Sequence, residues 1–213
     1  MTDYSPVPTH ALPITTLLVD IGGVLLSNGW TQASRQLAAT TFDLDAAELE
    51  QRHHLVFSTY ELGRLSLANY LWQVVFYRPR SFGMASFQEF MFAQSQPYPQ
   101  MLALVRKLKT NYHLKIAVVS NEGRELNAHR IHTFGLAEFV DFFVSSSFVH
   151  LSKPDVAIFR LALDLAQVPA EQVLYLEDQP LFVGVAAGLG IRGICHENYA
   201  STCAQLAALG LPI

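Results

Sequence analysis

The amino-acid sequence predicts an α/β protein, an open parallel sheet with a small helical cap inserted after its first strand. Three observations lead there. Apolar runs of strand length alternate with helix-compatible stretches along most of the chain. Between Gly29 and Pro99 the strand signal vanishes, and leucines recur at helical spacing instead. Where the strand-like runs end, polar residues follow, and in an open parallel sheet the crevice lies beyond those carboxyl ends.

The first predicted strand, Ile14–Val19, runs into Asp20-Ile21-Gly22-Gly23-Val24-Leu25. A carboxylate at a strand end followed by two glycines sets a nucleophile or metal ligand beside a backbone that can approach an anion and point N–H groups at it. Ser27-Asn28-Gly29 then turns the chain into the helical block, where Leu37, Leu44, Leu49, Leu55, Leu62, Leu67, Leu71 and Val75 fall on helix-like faces. The aromatic residues of the block, Trp30, Trp72, Phe76, Phe82, Phe87, Phe90 and Phe92, are expected to pack between its helices. Gln94-Ser95-Gln96-Pro97-Tyr98-Pro99 closes the block, with two prolines that suit a hinge. The expected division is therefore a core of residues 14–28 and 99–213, a cap of residues 29–98 and a flexible leader of residues 1–13. Tethered at two points after the first strand, such a cap would open for substrate and close to exclude water.

The second strand, Leu114–Val119, ends on Ser120-Asn121 ahead of a helix over residues 122–134. Anions are stabilised at such a helix start, although Ser120 alone is better read as an N-cap. After a third strand at Phe139–Val144, Lys153-Pro154-Asp155 opens a helix over Val156–Ala166. Turned inward, Lys153 would hold a phosphoryl oxygen and the attacking carboxylate together. The fourth strand, Val173–Leu176, ends on Glu177-Asp178, adjacent carboxylates that are costly on an apolar strand end unless neutralised. A magnesium ion would do so, with Asp20 and Asp178 as direct ligands and Glu177 direct or through water. A fifth strand at Ile191–Cys195 completes the sheet.

Composition sets the limits on function. The 213 residues are 51% apolar and 15% charged, enough to bury a substantial core. With a net charge of −4 and 14 scattered arginines and lysines, the chain offers no basic field for a nucleic-acid backbone. No segment approaches the roughly 20 apolar residues of a membrane span, and a cytoplasmic location is expected. Cys195 and Cys203 fit neither a zinc knuckle nor a disulfide framework and are expected to be buried, reduced thiols. His113, His129, His132 and His196 show no metal-ligand spacing.

The order Asp-x-Gly-Gly-Val-Leu at 20–25, Val-Ser-Asn at 119–121, Lys-Pro-Asp at 153–155 and Leu-Glu-Asp at 176–178, followed by Gly188-Leu189-Gly190-Ile191, resembles the haloacid dehalogenase-like hydrolase superfamily over nearly the whole chain. Within it the sequence is similar to the branch of the bacterial glucose-1-phosphatase-like proteins and the N-terminal phosphatase domain of soluble epoxide hydrolase. Glu61-Leu62-Gly63-Arg64-Leu65-Ser66 shares in that likeness. The resemblance implies a Rossmann-like core and chemistry through an aspartyl-phosphate on Asp20. Magnesium would be held by Asp20, the Gly22 carbonyl, Glu177 and Asp178, and the phosphoryl oxygens by Gly22, Gly23, Ser120, Asn121 and Lys153. The implied substrate is a small phosphorylated metabolite.

The sequence departs from that pattern at two places. Gly22 stands where most phosphatases of the superfamily have the aspartate that protonates the leaving oxygen, a contribution of about 10²–10⁴-fold. Phe182 stands where the branch usually has an asparagine, and a phenylalanine can neither hydrogen-bond Asp178 nor orient a metal-bound water; such losses cost about 10–100-fold. The proton must then come from water or from the cap, where His53, His54, Tyr60 and Glu61 are candidates. Arg64, Glu61 and His54 are the expected cap contacts to substrate. A weak or inactive scaffold that binds a metabolite or protein partner is the alternative to a phosphatase, and haloacid dehalogenation a lesser one. The absence of any lysine before Lys107 excludes the phosphonate-cleaving chemistry, which uses a cap lysine.

Overall fold

A computed structural model describes residues 13–213; residues 1–12, and with them all but the last residue of the expected leader, lie outside the described residues. A five-stranded parallel sheet forms the centre, ordered β3-β2-β1-β4-β5. Its strands are β1 (Thr16–Val19), β2 (Lys115–Ser120), β3 (Phe142–Ser145), β4 (Val173–Glu177) and β5 (Arg192–Cys195). Each begins one to three residues later than the apolar run that marks it, or at the same residue for β4.

The three inner strands are apolar without interruption because both faces of the sheet are covered. Successive side chains alternate between those faces. Leu17, Val19, Ile116, Val118, Leu174 and Leu176 pack on one side with Leu104, Val105 and Leu108 of α5 (Pro99–Tyr112) and Leu206 of α10 (Tyr199–Ala208). Leu18, Ala117, Val119, Val173 and Tyr175 pack on the other with Ile158, Phe159 and Ala162 of α8 (Val156–Ala166) and Ala186 of α9 (Pro180–Ala187). Each fully buried aliphatic side chain here contributes about 1.5–3 kcal/mol.

Between β1 and α5 the chain builds four helices, α1 (Gln32–Thr41), α2 (Ala46–Glu61), α3 (Leu67–Val74) and α4 (Met84–Ala93). Thr31, Asp45 and Ser66 cap the first three through hydrogen bonds from the backbone N–H three residues on. These helices bury their own cluster, centred on Trp30, Tyr60, Tyr70, Leu71, Phe87 and Met91, with Leu126 of α6 (Arg124–Thr133) joining from the sheet side. Not every apolar residue of the block packs inward: Trp72 is 61% exposed, Leu55 74% and Leu37 51%. Helical period alone overstated the inward face.

The two connections to the helical block run side by side. Ser27 N–H donates to the Gln96 carbonyl at 2.8 Å, Ser27 Oγ donates to the Gln94 carbonyl at 2.9 Å, and Tyr98 N–H donates to the Leu25 carbonyl at 2.9 Å. Buried Arg130 of α6 joins them, donating through Nε to Ser95 Oγ at 2.9 Å and through a terminal nitrogen to the Ser27 carbonyl at 3.3 Å. It also pairs with the buried carboxylate of Glu122. Gly29, at φ +69°, leaves room for that guanidinium; a Cβ there would lie 2.0 Å from it.

Among the described residues, no helix is long and apolar enough to cross a membrane. Cys195 and Cys203 are free thiols, half-buried rather than buried. A last short helix, α7 (Ser146–Val149), follows β3 directly and becomes important at the site.

Candidate functional site

The strand order explains why residues far apart in sequence meet. β1 lies between β2 and β4, so Asp20, Ser120 and Glu177 stand at three adjacent strand ends. Pairing of Val19 with Val118 and with Leu176 keeps those ends level. Lys153 reaches the same point from the loop between α7 and α8. Asn121 fixes that loop from both sides: its Nδ2 donates to the Lys153 carbonyl at 2.9 Å and its Oδ1 accepts the Lys153 N–H at 2.8 Å.

Lys153 is the electrostatic centre. Its Nζ lies 3.0 Å from Asp20 Oδ1 and 2.6 Å from Glu177 Oε2, and the residue is 4% exposed. Burial pushes the ammonium down, but Asp20 and Glu177 more than offset it, so Lys153 stays charged well above neutrality. Burial raises the Asp20 carboxyl above its ordinary value; Lys153 opposes that and Glu177 adds to it. Glu177 is wholly buried and fully engaged. Its Oε2 accepts from Lys153 and the Tyr175 hydroxyl, and its Oε1 accepts the backbone N–H groups of Asp178 and Gln179, each at 3.1 Å.

Asp20, Glu177 and Asp178 each offer an oxygen within 4.8 Å of the others, a spacing that suits a metal ion. Asp178 is half-buried and accepts a hydrogen bond from the Gln179 amide at 3.1 Å. Gly23, at φ +76°, makes this possible, because a Cβ there would lie 2.2 Å from Asp178 Oδ2. With Glu177 spent on four donors, Asp20 and Asp178 are the two carboxylates with acceptor capacity to spare for a cation.

The cavity above these groups has a volume of about 290 Å³ and brings together Asp20, Gly22, Ser120, Asn121, Lys153, Glu177, Asp178 and Phe182. Trp30, Phe57, Tyr60, Glu61 and Leu126 form its helical wall. Two expected contacts do not reach it. His54 is exposed and pairs with Glu50 at 3.1 Å on the outer face of α2, and Arg64 lies exposed beyond the turn that ends that helix. By helical spacing His54 shares a face with Phe57 and Glu61, but it lies two turns back from the end of α2, where that face is exposed. Phe182 places its ring 5.0 Å from Lys153 Nζ, a cation–π contact where the branch pattern has an amide.

Several site residues had no clear mark in the sequence. Glu122 and Asn28 line the cavity, and the Tyr175 hydroxyl bonds Glu177. Glu122 adjoins Ser120-Asn121, which was the available signal; its partner Arg130 is visible only in the fold. Asn28 accounts for Gly22: a Cβ at position 22 would lie 2.6 Å from Asn28 Oδ1, so the amide occupies the space where a side chain would start.

The comparisons with known proteins agree with this architecture. A HAD family enzyme from Bacteroides thetaiotaomicron, solved in complex with magnesium and inorganic phosphate, superposes with a TM-score of 0.71 at 18% identity, covering 89% of this chain and 98% of that one. A predicted HAD-like family hydrolase from Porphyromonas gingivalis gives 0.73 at 18% identity, over 92% and 98%. At such identities the likeness concerns the fold. The haloacid dehalogenase-like hydrolase domain-containing protein 3 of Xenopus laevis is 36% identical over 69 residues, 32% of this chain and 28% of that relative's length. A haloacid dehalogenase-like hydrolase model matches residues 14–188, and with this parallel sheet and its strand-end cluster the chain belongs to that family.

Proposed function

We propose that the protein is a magnesium-dependent phosphatase of a small phosphorylated metabolite, working through an aspartyl-phosphate on Asp20. The observation that carries this reading is the placement of Lys153 Nζ 3.0 Å from Asp20 Oδ1, beside an acidic trio whose oxygens fall within 4.8 Å. Lys153 orients the nucleophile, and Ser120 and Asn121 line the same cavity and would hold phosphoryl oxygens, whereas the Gly23 N–H is spent on the Leu26 carbonyl at 2.7 Å. The charge balance supports a metal. Glu122 is paired with Arg130, and Lys153 alone stands against the three carboxylates of Asp20, Glu177 and Asp178, so without a cation the cluster is hostile to a dianion.

Asp20, Asp178 and the Gly22 carbonyl would hold the ion directly and Glu177 through water. Bound there, it would offset charge developing on the transferred phosphoryl group. Asp20 attacks phosphorus in line and the leaving oxygen departs. The four helices between β1 and α5 act as the cap, their aromatic wall excluding water during transfer. That the related Bacteroides enzyme is described with magnesium and phosphate bound supports the same chemistry here.

The test is phosphate release from a panel of monoesters, including sugar phosphates and p-nitrophenyl phosphate, with and without Mg²⁺, for native protein and Asp20→Asn. Metal-dependent release that disappears in Asp20→Asn is the expected result. A flat response across the panel would instead favour a binding scaffold, the reading to which Gly22 and Phe182 point.

A further inference from the structure

We infer that Glu61, the last residue of α2, is the proton donor and acceptor of the Asp20 reaction, supplying from the helical wall what Gly22 cannot. The inference rests on the phosphatase reading and says which residue completes it.

The end of α2 is fastened over the strand ends by contacts that belong to the core. Ser146 Oγ of α7 donates to the Glu61 carbonyl at 2.7 Å and accepts the Glu122 N–H at 2.9 Å, so one hydroxyl joins the two glutamate backbones. His150 Nδ1 lies 2.7 Å from the Leu62 carbonyl. Gly63, at φ +67°, admits the backbone of Ser147, whose carbonyl oxygen would sit 2.2 Å from a Cβ there. On the other side the Tyr60 ring lies against Gly123, where a Cβ would fall 2.1 Å from ring carbons. These contacts hold the end of α2 over the strand ends, and Glu61 lines the cavity together with Asp20, Lys153 and Glu122.

The groups around it keep it protonated near neutrality. Burial has the largest effect, Glu122 and Asp20 add to it, Lys153 opposes it, and the carboxyl is pushed up to about 8. The phenols of Tyr60 on α2 and Tyr70 on α3 stay neutral over this range, both raised chiefly by burial. His150, just past the end of α7, meets the backbone of Leu62 rather than the carboxyl. The other candidates fall away: His54 is outside the cavity, and burial lowers His53 to about 4. A protonated acid on the wall, opposite the nucleophile, has the position and the state that a leaving alkoxide requires.

The steps balance as follows. Asp20 forms a bond to phosphorus, the bond from phosphorus to the ester oxygen breaks, and that oxygen keeps the electron pair and takes the Glu61 proton, leaving as an alcohol. In the second step the Glu61 carboxylate takes a proton from water as its oxygen attacks phosphorus. The bond to Asp20 breaks, its electrons return to the carboxylate, and phosphate is released.

The test compares kcat/KM of native protein and Glu61→Gln on an alkyl phosphate, whose alkoxide needs a proton, and on p-nitrophenyl phosphate, whose phenolate does not. The expected loss is about 10²–10⁴-fold on the alkyl ester and little on the aryl ester, with the alkaline limb of the native profile absent in Glu61→Gln. An equal loss on both esters, or none on either, overturns the role of Glu61 while leaving the phosphatase reading intact. A native protein inert on both overturns the phosphatase reading and this one together. Carboxyl ¹³C NMR of the metal-free protein adds a readout independent of turnover: Glu61 is expected to titrate near 8, and titration in the ordinary glutamate range overturns the assignment.

Discussion

The sheet-end cluster and the helical wall face each other across one cavity, yet different forces hold them. At the strand ends, charges fix charges: Lys153 is shared by Asp20 and Glu177, and Glu177 spends every acceptor on a named donor. In the wall, shape comes from aromatic packing, with Trp30, Phe42 and Phe87 in contact and the Trp30 indole donating to the Tyr70 hydroxyl at 2.9 Å. The cluster carries its charges at high desolvation cost, while the wall sets the shape of the cavity. Glu61 is the exception, a carboxyl on the apolar side.

The largest effect expected from this division is the loss of turnover in Asp20→Asn, at least about 10³-fold, with the melting temperature little changed. Steady-state kinetics beside thermal unfolding would check it, and a large fall in both would show that charge and scaffold cannot be separated as the comparison requires. Arg130 lies at the joint between the regions. Arg130→Met leaves the buried Glu122 carboxylate unpaired and should cost about 3–5 kcal/mol in denaturant unfolding, part of it recovered by adding Glu122→Gln. Absence of any recovery would mean the contacts of Arg130 to Ser27 and Ser95 dominate.

Smaller effects sharpen the contrast. Gly23→Ala should weaken Mg²⁺ binding about 10–100-fold in titration calorimetry, since the new Cβ displaces Asp178. Unchanged affinity would remove Asp178 from the proposed ligand set. Tyr70→Phe strips the indole of Trp30 and Nδ1 of His53 of a shared partner and should cost about 1–3 kcal/mol while kcat holds. The last prediction concerns pH. Burial lowers His53 from 6.5 to about 4, so between these values the unfolded chain binds a proton that the folded protein does not. Stability should fall as pH drops through that window, and His53→Gln should flatten the dependence in urea titrations at stepped pH.

The strands and the four strand-end motifs were legible because the signal is local. A strand buried on both faces must be apolar throughout, and a charged residue at its end interrupts the run visibly, as Asp20 and Glu177 do. The wall was harder to read. His54 and Glu61 both sit on α2, seven residues apart, and helical period could not tell which faces the cavity once the helix packs against α1, α3 and α7. Glu122 carries no local signal because its counter-charge, Arg130, lies eight residues on and meets it only in the buried joint.

By itself the sequence determined the parallel sheet, the insertion of helices after the first strand and the identity of the groups at the strand ends. Those follow from periodicity and from the cost of placing charge beside apolar runs, which act within a few residues. The tertiary structure decided the rest: that Glu177 serves Lys153, that Asn28 fills the space beside Gly22, and that Glu61 rather than His54 or Arg64 faces Asp20. Each of these depends on contacts between segments distant in the chain, where packing and desolvation choose the partner and local pattern carries no information about it.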